Sequence, residues 1–101
     1  MKIEVLKFYA NWCGPCRVLS QRLEGEELTE INIDTEHKVA VKYKVRSIPV
    51  LVFIKDGEEV HRTTGLITKN EYDLILNEIN DEKNVDNIEV TAEIVKPNIE
   101  E

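Results

Sequence analysis

The spacing of apolar residues changes along the chain and predicts alternating strands and helices. Residues 3–9 are almost wholly apolar on both alternations, which is typical of a strand buried on both faces. Val18, Leu19 and Leu23 then recur at helical spacing, and Gly25 follows them. A buried strand is therefore predicted to lead into a helix that ends near Gly25.

Two further strands and a short helix are predicted in the middle of the chain. Residues 29–33, 36–43 and 50–54 are expected to form a short strand, the helix and a wholly apolar third strand. The Asp-Gly pair at 56–57 is a strong signal for a tight hairpin turn. The third strand is thus expected to turn back antiparallel over residues 59–63.

A last helix is predicted near the C-terminus. Thr68 and Glu71 have the spacing of a capping box, which marks a helix start. The predicted order is β-α-β-α-β-β-α, which places the chain in the α/β class. One face of the last helix is apolar and consists of Tyr72, Ile75, Leu76 and Ile79.

The chain changes character after Asn80. Residues 81–87 are polar and typical of a loop, whereas residues 88–94 alternate between apolar and polar as an amphipathic strand does. Seven of the 20 acidic residues lie in 81–101. We interpret residues 1–80 as one domain and residues 81–101 as an acidic extension. That extension either adds a strand at an open sheet edge or stays mobile.

Length and charge restrict the possible functions. The 101 residues suffice for one domain with its own core. The formal net charge of −7 disfavours nucleic acid, because no basic surface is available to neutralise phosphates. No apolar run approaches membrane-spanning length, so no membrane association is expected. The first residues lack a basic region followed by an apolar one, and we expect a cytoplasmic monomer.

The only two cysteines, Cys13 and Cys16, stand at the predicted start of the first helix. A disulfide closing so short a loop constrains the unfolded chain little, so it is a poor structural staple. The positive end of a helix stabilises an anionic sulfur at Cys13, whereas Cys16 is expected to be more buried. Because the thiolate is the nucleophile in disulfide exchange, this pattern favours redox chemistry.

A zinc site is the competing interpretation of the cysteine pair. Structural zinc generally takes four ligands. His37 and His61 lie far from the cysteines in sequence and on different predicted elements. We therefore interpret both histidines as surface residues and expect no metal ion.

The pentapeptide at residues 12–16 reads Trp-Cys-Gly-Pro-Cys, and here the chain resembles the thioredoxin family. The resemblance continues with Ile48-Pro49 and with Gly65, and it covers roughly residues 3–80. It implies a trimmed thioredoxin fold with a central, mixed four-stranded sheet flanked by helices. The N-terminal strand and helix of most members are expected to be missing, because Met1 lies so close to the pentapeptide.

The resemblance also implies the activity, which is protein-disulfide reduction by dithiol–disulfide exchange. Cys13 attacks a disulfide of a substrate protein, and Cys16 then resolves the mixed disulfide. The intervening Gly14 and Pro15 resemble those of the strongly reducing members. No cofactor beyond the cysteine pair is implied. The expected electron donor is a flavin-dependent thioredoxin reductase or a glutathione system.

A substrate groove is implied around Ile48-Pro49. X-Pro bonds adopt the cis form far more readily than other peptide bonds, and in thioredoxins the corresponding proline is cis and faces the cysteines. Backbone groups beside it are expected to bind an extended substrate segment, and Gly65 admits a substrate backbone closely. The implied substrate-binding residues are Trp12, Gly14, Pro15, Ile33, Ile48, Pro49, Thr64, Gly65 and Leu66.

Lys7 is an unusual residue for the middle of an apolar strand, because buried lysines need a partner. Most thioredoxins carry a buried aspartate here that assists proton transfer with the resolving cysteine, and Glu30 stands where they have its lysine partner. The resemblance thus implies the same pair with exchanged signs, with Glu30 as proton acceptor held by Lys7. The alternative is that Lys7 is exposed to solvent.

Two other functions remain open from the sequence. A glutaredoxin-like, glutathione-dependent oxidoreductase is favoured by the short chain. A non-enzymatic thioredoxin-fold subunit that docks on a larger partner is favoured by the acidic extension.

Overall fold

The computed structural model of the protein describes the backbone of residues 3–88 and side chains within residues 3–80. The order of elements is the predicted one, and all bounds except the last agree with prediction to within three residues. The elements are β1 (Ile3–Tyr9), α1 (Gly14–Arg22), β2 (Thr29–Asn32), α2 (His37–Lys42), β3 (Val50–Lys55), β4 (Glu58–Thr64) and α3 (Lys69–Ile88).

The four strands form one sheet in the order β2-β1-β3-β4. Strand β1 pairs parallel with β2 and antiparallel with β3, and β3 pairs antiparallel with β4. The predicted mixed four-stranded sheet is therefore confirmed. Because no further strand pairs with β2 among the described residues, β2 forms one edge of the sheet, and only Ile31 of its four residues is buried.

Strand β1 is buried on both faces, as its continuous apolar sequence predicts. Its four middle residues, from Val5 to Phe8, are all buried. Side chains alternate across a strand, so Leu6 and Phe8 share one face while Lys7 lies on the other. The core on the first face also holds Ala40 of α2 and consists of Leu6, Phe8, Ile31, Ala40, Val50 and Val52.

The hairpin between β3 and β4 has the predicted two-residue turn. Asp56 and Gly57 have positive φ values of 55° and 85°, which is the backbone of a type I′ turn. Farther along, Phe53 pairs with His61 but Ile54 pairs with Glu59. Strand β4 thus contains one extra residue at a β-bulge.

This bulge places Glu59 and Arg62 on the same face of β4. Residues three apart on a regular strand point to opposite faces, and the extra residue reverses that alternation. The Arg62 guanidinium donates to both carboxylate oxygens of Glu59, at 2.7 and 2.9 Å. It also donates to the carbonyl oxygen of Tyr43 (2.8 Å), which ties the edge strand to the end of α2.

The described residues separate into two compact units, one that ends at Lys69 and one that begins at Asn70. In the second unit, α3 buries Tyr72 and Ile79 of the predicted apolar stripe. The prediction of a loop over residues 81–87 is wrong, because the helix continues to Ile88. That segment contains neither proline nor glycine, so nothing in it ends a helix.

Residues 89–101 lie outside the described residues. The added strand over 88–94 was predicted almost wholly within them and stays a prediction, as does the division of the chain at Asn80. Within residues 3–88, no helix combines the length and apolar character needed to cross a membrane.

The Glu59–Arg62 pair predicts a pH-dependent contribution to stability. Hydrogen bonds from Arg62 hold the pKa of Glu59 below its usual value. The stabilisation is therefore fully present above the unfolded-state pKa of about 4.3 and is lost as pH falls through the lower folded-state value. We expect Glu59→Gln to lower the free energy of unfolding by up to about 1 kcal/mol at pH 7.

Urea unfolding of the oxidised protein from pH 7 to pH 3 measures this difference. The gap between wild type and Glu59→Gln should shrink below about pH 4. Glu24→Gln, at an exposed position, serves as the control for loss of a carboxylate. A gap that is constant with pH would show that the carboxylate charge is not what stabilises the pair.

Candidate functional site

The two cysteines lie at the connection between β1 and α1. Strand β1 ends at Tyr9, and the N–H of Cys13 donates to the carbonyl oxygen of Ala10 (3.2 Å), which closes a tight turn. Helix α1 begins at Gly14, so Cys13 is its N-cap residue and Pro15 stands in the first turn, where no N–H is needed.

The sulfur of Cys13 performs the capping itself. Its Sγ accepts a hydrogen bond from the backbone N–H of Cys16 at 3.1 Å. The free N–H groups of a helix start and the helix dipole both favour negative charge at this point. The local structure therefore favours a thiolate at Cys13 whenever the sulfur is reduced.

In this structure Cys13 and Cys16 are joined by a disulfide, with their Cα atoms 5.3 Å apart. Both residues are buried, whereas the intervening Gly14 and Pro15 are exposed. Ala10 completes the buried cluster around the disulfide. The redox pair thus lies just beneath an exposed turn of backbone.

Two of the residues predicted to bind substrate pack directly against this cluster, namely Ile33 and Ile48. Ile33 follows β2, and its N–H donates to the carbonyl oxygen of Tyr9 (2.9 Å). Ile48 precedes β3. Three separate segments of the chain therefore meet at the disulfide.

The predicted cis bond between Ile48 and Pro49 is confirmed. The carbonyl oxygen of Pro49 accepts a hydrogen bond from the N–H of Gly65 at 2.8 Å, which joins these two predicted segments. Gly65 has φ = 90°, a conformation that other residues rarely adopt. Thr64 and Leu66, on either side of it, are exposed.

Trp12 is 67% exposed, yet its ring is held in place. Its indole N–H donates to Oδ2 of Asp34 at 2.9 Å. Asp34 is absent from the sequence-based candidates, although a signal for it existed. Trp12 follows β1 and Asp34 follows β2, and the carboxyl ends of parallel strands meet at the same edge of a sheet.

Lys7 is the only charged residue buried among those described, with 2% of its side chain exposed. The alternative that Lys7 faces solvent is therefore wrong. Its Nζ donates to the hydroxyl of Ser20 on α1 and lies 5.3 Å from the centre of the Tyr9 ring. Ser20 is a second residue that sequence reasoning missed, although it stands one helical turn after Cys16.

Lys7 and Glu30 are direct neighbours in the parallel register of β1 and β2. Their charged atoms are 3.9 Å apart, an ion pair longer than a hydrogen bond. The two do not share the same burial, however, since 52% of the Glu30 side chain is exposed. The exposure of Glu30 follows from its place on β2, which is an edge strand.

A small cavity of about 140 Å³ joins this pair to the redox centre. Lys7, Ser20, Glu30 and Cys16 all line it. Beside it, the guanidinium of Arg17 donates to the carbonyl oxygen of Asn11 (2.8 Å) and holds the loop before the cysteines. Among the described residues, no three His, Cys, Asp or Glu side chains are placed to hold a metal ion.

A larger cavity of about 500 Å³ lies at the opposite end of the sheet. It is lined by the first residues of β1 and β2, including Ile3 and Thr29, and by Gly57 of the hairpin. Since the cysteines follow the other end of β1, this cavity does not belong to the redox site.

The thioredoxin family model matches residues 1–81 of the chain. The chain belongs to the thioredoxin family. It is 44% identical to thioredoxin of Chlamydia pneumoniae over 72 residues, covering 64% of this chain and 71% of the relative. It is 35% identical to thioredoxin of Mycoplasmoides gallisepticum over 74 residues, covering 66% and 74%.

Solved thioredoxin structures agree with this assignment. An N21Q mutant thioredoxin from Halobacterium salinarum superposes with a TM-score of 0.70 at 30% identity, covering 75% of this chain and 73% of its own. Thioredoxin of Fasciola hepatica gives a TM-score of 0.63 at 32% identity, covering 76% and 80%. This member of the thioredoxin family is a thiol-disulfide oxidoreductase, and Cys13 and Cys16 are its redox pair.

The register of Lys7 and Glu30 predicts that their charges are coupled. Lys7→Asp places a second negative charge opposite Glu30, and a buried charge without its partner typically costs about 3–5 kcal/mol. Exchanging both residues, Lys7→Asp with Glu30→Lys, should restore part of that free energy of unfolding and part of the activity.

A double-mutant cycle in urea, on the oxidised protein, measures the coupling. Glu24→Lys combined with Lys7→Asp is the matched control, because Glu24 is exposed and lies outside the cavity. If the exchange is no more stable than the sum of the single changes, Lys7 and Glu30 do not interact.

Proposed function

We propose that the protein reduces disulfides in other proteins, with Cys13 as the attacking thiolate and Cys16 as the resolving thiol. The observation that carries this proposal is the position of Cys13 at the N-cap of α1, with its sulfur accepting the Cys16 N–H. Nucleophilic attack needs a thiolate, and this position stabilises one.

In the first step the Cys13 thiolate attacks one sulfur of a substrate disulfide. A mixed disulfide forms, and the second substrate sulfur leaves as a thiolate. Cys16 then loses its proton and attacks the Cys13 sulfur. The Cys13–Cys16 bond forms, and the substrate leaves fully reduced.

The substrate groove in this proposal surrounds the exposed turn over the disulfide. Trp12, fixed by Asp34, provides an apolar wall on one side, and the cis Ile48-Pro49 segment lies on the other. An extended substrate backbone would hydrogen-bond beside Ile48, in the manner of strand addition. The remaining groove residues of the proposal are Gly14, Pro15, Ile33, Thr64, Gly65 and Leu66.

Glu30 accepts the proton of Cys16 during resolution, and Lys7 keeps its carboxylate oriented. The support is the cavity that Cys16, Lys7 and Glu30 line together. Because Glu30 is half exposed, it can pass the proton on to solvent. General-base assistance of this kind contributes about 10²–10⁴-fold where it operates.

The proposal includes the partners of the reaction and its setting. Electrons arrive from a flavin-dependent thioredoxin reductase and pass through the cysteine pair, with no cofactor. The protein then acts as a cytoplasmic monomer in electron transport and redox homeostasis. The acidic net charge disfavours binding of nucleic acid.

The two cysteines should give different phenotypes. Cys13→Ser should abolish reduction of insulin disulfides, because no attacking thiolate remains. Cys16→Ser should still attack but should accumulate as a mixed disulfide, since nothing releases the substrate. Turbidity of insulin and mass spectrometry of the trapped adduct measure both.

Iodoacetamide labelling of the reduced wild type is the independent check on these roles. Modification of Cys16 before Cys13 would reverse the assignment. Supplying either thioredoxin reductase with NADPH or glutathione tests the donor, and faster reduction by glutathione would favour the glutaredoxin-like alternative. Partner docking that persists in Cys13→Ser would favour the non-enzymatic subunit.

Glu30→Gln should slow substrate release without slowing the first attack. The amide cannot accept the Cys16 proton, so decay of the mixed disulfide should fall about 10-fold or more. Stopped-flow measurement with a labelled peptide disulfide separates the two steps. Glu24→Gln is the control for charge, and an equal loss in both steps would contradict the role of Glu30.

A further inference from the structure

A partly buried polar contact lies beside the redox pair, between the Lys7 ammonium and the Ser20 hydroxyl. We propose that Ser20 is a positioning residue of the redox site, holding Lys7 where its positive charge stabilises the Cys16 thiolate. This inference rests on the proposed dithiol exchange and assigns a control of reducing strength to residues outside the Cys-Gly-Pro-Cys turn.

The position of Lys7 is fixed by the sheet. Lys7 lies in the middle of β1, which is paired on both sides, so its backbone cannot move aside. With 2% of the side chain exposed, the ammonium cannot reach bulk water. It must therefore be stabilised by the groups that surround it, and Ser20 is the one that accepts a hydrogen bond from it.

Ser20 brings this charge to the resolving cysteine. Both Ser20 and Cys16 belong to α1 and are four residues apart, so their Cβ atoms are about 5–6 Å from each other on one face of the helix. Lys7, Ser20 and Cys16 also line the same small cavity. No other lysine lines that cavity among the described residues.

The other titratable groups lining the cavity do not cancel the charge. About half of the Glu30 side chain on β2 is exposed, so solvent and salt screen its carboxylate. Arg17 on α1 is exposed and directs its guanidinium to the carbonyl oxygen of Asn11. Tyr9 on β1 presents its ring to Lys7, with the ring centre 5.3 Å from the ammonium. Apart from the Cys13 sulfur, the desolvated ammonium is thus the dominant charge near Cys16.

This charge acts on the reduced state only. A donor dithiol supplies two electrons, the Cys13–Cys16 bond breaks, and the donor becomes a disulfide while its two protons pass to the protein sulfurs or to solvent. Negative charge left on Cys16 is stabilised by Lys7, whereas the neutral disulfide is not. Lys7 therefore favours the reduced protein and makes it a weaker reductant than it would otherwise be.

The test is the reduction potential of full-length variants, measured in dithiothreitol redox buffers by Trp12 fluorescence. Lys7→Met should shift the equilibrium toward the disulfide by about tenfold, which for two electrons is about 30 mV lower. Ser20→Ala should shift it in the same direction by less, and Ser20→Thr, which keeps the hydroxyl, should match the wild type. The potentials are also measured as a function of pH, where ionisation of Cys16 changes the slope of potential against pH. In Lys7→Met, this change of slope should move to higher pH.

Lys38→Met is the matched control, since it removes the same charge from an exposed position on α2 and should leave the potential unchanged. An unchanged or higher potential in Lys7→Met would overturn the proposal, as would equal potentials for Ser20→Ala and Ser20→Thr. The reduction potentials are equilibrium values and do not depend on the rate of substrate reduction. They remain interpretable even if the wild type fails to reduce insulin, which would overturn the proposed function instead.

Discussion

The structure depends on the pairing of β1 with a strand on each side. This pairing buries both faces of β1 and fixes the point where the chain leaves the sheet, at Tyr9. Because α1 begins only a few residues later, the positive end of that helix must lie close to the end of the sheet at which β1 stops. Cys13 occupies this one position, where the backbone itself stabilises a sulfur anion.

The parallel pairing of β1 with β2 has a second consequence. The carboxyl ends of parallel strands lie at the same end of the sheet, so the segments that follow these strands meet there. Trp12 thereby reaches Asp34, and Ile33 packs on the disulfide cluster. The antiparallel β3 begins at this same end of the sheet, and the cis Ile48-Pro49 bond lies at its start. The proposed surface for substrate thus combines three chain segments that are far apart in sequence.

The position of β2 at the sheet edge makes the Lys7–Glu30 pair asymmetric. Lys7 belongs to the central strand and is enclosed, whereas Glu30 belongs to the edge strand and reaches water. A charge kept out of water acts strongly over short distances, while a solvated one is screened. The same register pair therefore divides its roles. In the two proposals above, Lys7 supplies a fixed positive charge and Glu30 exchanges protons with solvent.

Local patterns predicted the buried face of α3 but not how far this helix extends. The apolar stripe of α3 was readable from spacing alone, and Tyr72 and Ile79 are buried as predicted. Its end was not readable from polarity, because polar residues suit the exposed part of a helix as well as they suit a loop. Only proline or glycine would have marked an end, and residues 81–88 contain neither.

The sequence by itself determined the order of the elements, most of their bounds and the redox pair, because each of these rests on local chemistry. The cis proline was implied by the resemblance to thioredoxins. Hydrophobic period, the Asp-Gly turn and the spacing of Cys13 and Cys16 act within a few residues of one another. The tertiary structure alone decided which distant side chains meet. The contacts of Lys7 with Ser20 and of Trp12 with Asp34, and the exposure of Glu30, follow from strand order and from helix placement. No local pattern encodes these.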